Sequence, residues 1–343
     1  MEIALAGNPN VGKSVLFSRL TGVGVISSNY PGTTVEFAEG KAKFMGSTIT
    51  VIDLPGTYSL AGNTDDERVA TNLLFERRPD TVVAVLDSTR LERNLVLLFE
   101  LIESGYHVVA AMNMYDIMRK SGREVDIPRL ERMLMIPVIP TVATKGEGID
   151  SLLFTSVQLR GKSKFKVRYD SHIEEMVQRL SGMLDEEDWP MPLRAVALRL
   201  LTGDPRVTGR AAPEAVAASE SMRDEFHRQH GEDIVVHIER DRFGEAGRIA
   251  SEVVGEARDR KEEGLLSDLT LRPITGVPIL IGVLAAVFLV LVFVGGAIEG
   301  ALVGAYTDVF REPFEDFTEG LSSSVAIQLS HRRLTGSLSA ISS

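Results

Sequence analysis

Five short apolar runs set the rhythm of the first half of the chain: IALA (3–6), TITVID (48–53), TVVAVLD (81–87), HVVAAMN (107–113) and PVIPTVA (137–143). Between them lie stretches of helical spacing, notably Arg90–Ser104 and Ile127–Leu134. Runs so dense in β-branched residues cannot keep one face in water, which predicts a mainly parallel sheet covered by helices on both faces over residues 1–160. After GKSKFK (161–166) the pattern changes. HIEEMVQRLSGML, LRAVALRLL and PEAVAASESMRDEFHRQ are rich in Ala, Leu, Glu and Arg at spacings of three and four. Residues 161–266 therefore read as a small all-α domain, with its helices within 167–263.

From Pro273 to Ile298 there is no charged residue in 26 positions, more than the roughly 20 needed to cross a hydrocarbon core. A transmembrane helix is expected at about 274–298, inside a membrane-entry segment 267–320, with membrane lipid as its surroundings. Arg258, Arg260, Lys261 and Arg272 precede it, and Glu299 and Asp308 follow. This bias keeps the first two domains on the cytoplasmic side of the cell membrane. MEIALAGNPN has neither a basic n-region nor a cleavage site, which agrees. The polar tail 321–343 cannot span again and reads as a truncated or aberrant end.

Composition narrows the chemistry. A net charge of -11 argues against nucleic acid as a partner, because such binding rests on cations neutralising phosphates. The absence of cysteine removes disulfides, thiolate metal sites and cysteine nucleophiles.

GNPNVGKS (7–14) follows a predicted strand and precedes VLFSRL, the context a phosphate-binding loop requires. Gly7 and Gly12 let backbone N–H groups face phosphate oxygens, Lys13 reaches the β/γ-phosphates, and Ser14 offers a hydroxyl to Mg²⁺. Asn8, Asn10, Val11 and Val15 complete the stretch assigned to the nucleotide. DLPG (53–56) closes what the pattern reads as the third strand, where Asp53 would hold Mg²⁺ through water and Gly56 would meet the γ-phosphate. NMYD (113–116) closes a later strand. There Asn113 and Met114 border the base, and the Asp116 carboxylate accepts from guanine N1 and its 2-amine, a donor pair adenine lacks. NYPGTTVE (29–36), placed between the first helix and the second strand, must supply a threonine to Mg²⁺, and the residues alone do not choose between Thr33 and Thr34. In TVATKGEG (141–148), the Ala143 N–H is assigned to the guanine carbonyl. The fold class is then an α/β P-loop GTPase, Ras-like, followed by a small all-α domain and one transmembrane helix.

In this order the motifs resemble those of the ferrous iron transport protein B family, FeoB, over about residues 1–320. The shared elements are GNPNVGKS, YPGTTVE, DLPGTYSL followed by DERVATNLL, and NMYD. The resemblance implies a GTP-hydrolysing regulatory part of a ferrous iron transporter, whose helical domain slows GDP release. It favours Thr34 as the Mg²⁺ ligand and matches Asn10 to an asparagine that coordinates K⁺ beside the phosphates, where the ion acts like an arginine finger. Val142 is taken to stand where the family has a serine. Thr57 follows Gly56 where Ras-like enzymes carry a water-orienting Gln, so slow, potassium-stimulated hydrolysis is expected, with catalytic contributions from Lys13, Asn10, Thr34 and Gly56. The family's remaining membrane helices, small accessory iron-transport proteins and a homo-oligomer are the other partners considered. Competing readings are a membrane-anchored signalling GTPase and a soluble ribosome-assembly GTPase. Met112, Met114, Met118, Met133 and Met135 read as core filler, and His172, His227, His230 and His237 as scattered.

Overall fold

The computed structural model describes residues 1–22, 26–159, 161–256, 273–307 and 311. The main sheet has the strand order β2 (Ile26–Asn29), β3 (Glu36–Phe44), β4 (Ser47–Asp53), β1 (Glu2–Gly7), β5 (Thr81–Asp87), β6 (Val108–Asn113) and β8 (Val138–Pro140). From β4 to β8 the neighbours are parallel, whereas β2 and β3 are antiparallel additions at one edge. Alternate residues of each central strand enter different cores, as the dense apolar runs require. Ile3 and Leu5 pack with Leu16 and Phe17 of α1 (Lys13–Thr21) and Leu152 of α6 (Ile149–Gln158). Ala4 and Ala6 pack on the opposite face with α2 (Asp65–Arg77) and α3 (Leu91–Glu103).

β2 was not legible, so two strand counts change. NYPGTTVE lies within the β2–β3 hairpin rather than ahead of a second strand, and DLPG closes the fourth strand, not the third. The reason is physical: ISSN is exposed at all four positions, so it carries no apolar alternation to read.

The remaining elements are α4 (Tyr115–Lys120), β7 (Arg123–Val125), α5 (Ile127–Leu134), α7 (Ser171–Ser181), α8 (Leu193–Leu201), α9 (Pro205–Thr208), α10 (Pro213–His230), α11 (Ile234–Val253) and β9 (Val254–Glu256). The helical part shares a core with the far face of the sheet, where Leu98, Phe99 and Leu101 of α3 belong to the same cluster as Ile173, Val177, Leu198 and Ile249. After α11 the chain returns to the α/β part, pairing β9 antiparallel with β7 from Arg123↔Glu256 to Val125↔Val254.

A second unit contains α12 (Pro273–Tyr306). It extends past the expected end at Ile298, placing Glu299 inside the helix. GALVGAY (300–306) continues the apolar composition, so a single carboxylate does not end the hydrogen-bonded backbone. Leu280–Tyr306 is long and apolar enough to cross a membrane, with mean hydropathy 2.8 and none of its most apolar window buried. The basic flank at 258–272, Asp308 and the tail 321–343 lie outside the described residues.

Two expectations about ordinary side chains change. Met112 and Met118 are core residues, but Met135 is exposed in a left-handed helix-end conformation. Three of these four histidines converge: His172 Nδ1 and His230 Nε2 are 3.1 Å apart, His230 stacks on Phe226, and His237 meets the same ring edge-on. Spacing could not reveal this because three separate helices bring the rings together.

Candidate nucleotide site

The phosphate loop leaves β1 and opens α1 at the carboxyl ends of the parallel strands, where ligands bind in open α/β sheets. Glycine is dictated at two of its positions. A Cβ on Gly7 would sit 2.6 Å from the Val85 carbonyl oxygen of β5. At Gly12, φ is +85° and a Cβ would lie 2.4 Å from Asn113 Nδ2. Asn10 also has a positive φ, 66°, and is exposed.

Lys13 and Asp53 are both nearly buried and form an ion pair, Nζ to Oδ1, at 2.5 Å. The Ser14 hydroxyl donates to the other oxygen, Asp53 Oδ2, at 3.0 Å. The structure thus joins the end of β4 to the start of α1 through two loops distant in sequence. Backbone bonds hold the same junction: Leu54 N–H donates to Leu5 O and Thr57 N–H to Gly7 O, each at 3.1 Å. A Cβ on Gly56 would come within 3.1 Å of Pro9 Cα. Thr57 is buried, and its hydroxyl donates to Ser59 O at 2.7 Å, so it is not available to orient water. Asn8 is buried, with Nδ2 donating weakly to Arg93 O at 3.4 Å and Oδ1 unpartnered. Val11 is in the core, whereas Val15 is exposed.

Asn113 is the clamp between loops. Its Nδ2 donates to Val11 O in the phosphate loop at 2.8 Å, and its Oδ1 accepts from Ala143 N–H at 3.0 Å. The Ala143 N–H expected to meet the guanine carbonyl thus lies at this same junction. That donor already faces Asn113, and Val142 is spent on the turn, with its N–H bonded to Glu147 O and its carbonyl accepting from Lys145 N–H. Sequence reasoning also missed Lys145, whose ammonium lies 3.2 Å from Asp116 Oδ2. The T-K-G turn was the available signal, because a basic residue two positions after Ala143 can curl back over α4. Met114 sits between Asn113 and Asp116 with φ 57°, starting α4.

Thr33 and Thr34 stand apart from this group. Thr33 Oγ1 donates to Tyr30 O at 3.0 Å and accepts from Val35 N–H, closing the hairpin turn. Thr34 is exposed beside a cavity of about 570 Å³ that also touches Asp65, Arg68 and Asn72 of α2. No hydrogen bond joins Thr34 to Ser14 or Asp53.

Comparison with known proteins agrees with this geometry. The sequence profile for ferrous iron transport protein B matches residues 1–155, and that for the FeoB cytosolic helical domain matches residues 169–255. The chain is 30% identical over 311 residues to the Fe(2+) transporter FeoB of Salmonella typhimurium, covering 87% of this chain and 39% of that protein. It is 39% identical over 213 residues to a Fe(2+) transport protein A/FeoB fusion protein of Porphyromonas gingivalis, covering 60% of this chain and 25% of the fusion. The chain thus spans less than half the length of these curated relatives. Among solved structures, a mutant of S. thermophilus NFeoB bound to GDP aligns with TM-score 0.68 at 30% identity, over 74% of this chain and 99% of that one. The GMPPNP form of the cytosolic domain of the T. maritima FeoB iron transporter aligns with TM-score 0.64 at 30% identity, over 75% of this chain and all of that one. On the loops, the fold and these matches, the chain belongs to the ferrous iron transport protein B family.

Proposed function

We propose that residues 1–256 bind guanine nucleotides and hydrolyse GTP as the cytosolic part of a ferrous iron transporter. The observation that carries the reading is the meeting of Lys13, Ser14 and Asp53, with Asn113 fastening the phosphate loop to the base loop. GDP- and GMPPNP-bound relatives support it. Lys13 and the loop N–H groups hold the phosphates, Gly56 meets the γ-phosphate, and Asp116, with the Ala143 N–H, reads guanine.

The Ser14 hydroxyl and the Asp53 carboxylate are hard oxygen donors, a set that fits Mg²⁺, with Thr34 joining them when its exposed loop closes. Bound there, Mg²⁺ would neutralise charge on the β- and γ-phosphates. Asn10, exposed at the rim of the phosphate loop, would supply an amide oxygen to K⁺. Since Thr57 is buried and self-bonded, water must be oriented by loop backbone, and hydrolysis is slow. The domains run 1–160 and 161–266, with 267–320 entering the cell membrane and the first two on its cytoplasmic side. A fused transport protein A in one relative supports a small accessory partner.

GTP turnover in K⁺ and in Na⁺ tests the reading. We expect slow turnover that rises about tenfold or more in K⁺, the gain expected of positive charge added as the transition state forms. Equal rates would remove Asn10 from this role, and no turnover in either salt would remove the hydrolysis itself.

A further inference from the structure

One stretch of the α/β part that the helical part grips is the continuation of DLPG. Arg206, in α9, donates from Nη2 to Leu60 O at 3.2 Å and to Ala61 O at 3.3 Å. Its guanidinium is itself fixed: Asp204 Oδ1 accepts from Nε at 2.8 Å, and Asp204 also takes Arg199 Nη1 at 2.7 Å. From the other side, Glu100 on α3 accepts from Leu60 N–H at 2.5 Å and from Ser59 Oγ at 2.9 Å. Arg242 on α11 holds that carboxylate at 3.1 Å. Both the N–H and the carbonyl of Leu60 are therefore claimed by chains of bonds that end in the helical part, and the Leu60 side chain is buried in the shared core. The helical part also holds the strand and helix that follow Asp116, pairing β9 with β7 and Glu252 with Arg129, but among the described residues no hydrogen bond or ion pair runs from residues 167–256 to the base loop 141–148.

We propose that Arg206 is a positioning residue for GTP hydrolysis: acting through Leu60 and Ala61, it ties the helical part to the hydrolytic loop. The inference rests on the GTPase reading above and adds the direction of control. Ser59 is three residues beyond Gly56, and Thr57 N–H is bonded to Gly7 O, so movement at 59–61 is delivered to the γ-phosphate end of the site. Positioning errors of about an ångström at a reacting centre cost up to about 100-fold in rate. Guanine, held by Asp116 and the base loop, lies outside this chain of contacts. Arginine matters as a planar fork that reaches the two carbonyls through Nη2 while Nε holds Asp204, which lysine cannot reproduce.

The test measures two rates on the full chain in detergent: single-turnover GTP hydrolysis and release of a fluorescent GDP analogue. Arg206→Ala should slow hydrolysis about tenfold while GDP release stays within about twofold. Arg206→Lys, which keeps the charge and its pairing with Asp204, should recover only part of the rate and guards against loss of fold as the cause. Unchanged hydrolysis in Arg206→Ala overturns the proposal, and so does a change in GDP release as large as the change in hydrolysis. Failure of the wild-type chain to hydrolyse GTP would instead strike the underlying reading.

Discussion

Arg242→Met should lower the melting temperature of the unit built from residues 1–256 by about 6–20 °C, corresponding to a loss of about 3–5 kcal/mol. The Arg242 side chain is 11% exposed and faces Glu100, Glu103 and Glu239, with Tyr169 beside it. Burial alone would lower the guanidinium pKa, but Tyr169, Glu100 and Glu103 hold it well above its ordinary value. Burial pushes the Glu103 and Glu239 carboxyls up from 4.5, with Arg242 opposing the rise at both. Methionine fills much of the space yet leaves three acids without their cation, and removing one member of a buried ionic cluster is the costly case.

The pH dependence of this variant has a definite sign. A carboxyl whose folded pKa lies above its unfolded value binds more protons in the native state, so stability is lost as pH rises through the folded pKa. Without Arg242 these carboxyls rise further, and the variant should regain part of its deficit as pH falls from neutral toward 4.5. Thermal melts of both chains across that range check the result. A deficit that grows on acidification would contradict the assigned cause.

Asn113→Ala should weaken GDP binding more than about 100-fold and lower the melting temperature as well. The buried carboxamide makes two bonds, to Val11 O in the phosphate loop and from Ala143 N–H in the base loop. Each orphaned buried group costs about 1–3 kcal/mol, and about 3 kcal/mol already exceeds a factor of 100 in Kd. The effect falls on binding because the two loops must hold one register to grasp phosphate and base together, and without the clamp the ligand must order them. Titration with a fluorescent GDP analogue measures it. A loss below about fivefold would mean that the loops are aligned by something else.

How much of this was legible depends on the kind of pattern. The central strands and the helices at 91–103 and 127–134 followed from apolar runs and periodicity, and Lys13, Ser14, Asp53, Asn113 and Asp116 followed from loops set at strand ends. Exposed structure was not legible: β2 is one isoleucine and three polar residues, all in water, and its pairing with β3 depends on backbone bonds that any side chains permit. Spacing places the Ala143 amide in the base-loop turn but cannot say that Asn113, 30 positions away, bonds to its N–H. The grip of Arg206 and Glu100 on Leu60 joins residues 146 and 40 positions apart, and no local pattern announces it.

The central claim is that these loops form a guanine-selective nucleotide site. Titration of the wild-type chain and of Asp116→Asn with GDP and with xanthosine diphosphate tests it most directly. The asparagine amide can donate where the carboxylate only accepts, matching the carbonyl that xanthine carries in place of the 2-amine. The account predicts that wild type prefers GDP and that Asp116→Asn reverses the order. An unchanged preference for GDP in the variant would contradict it.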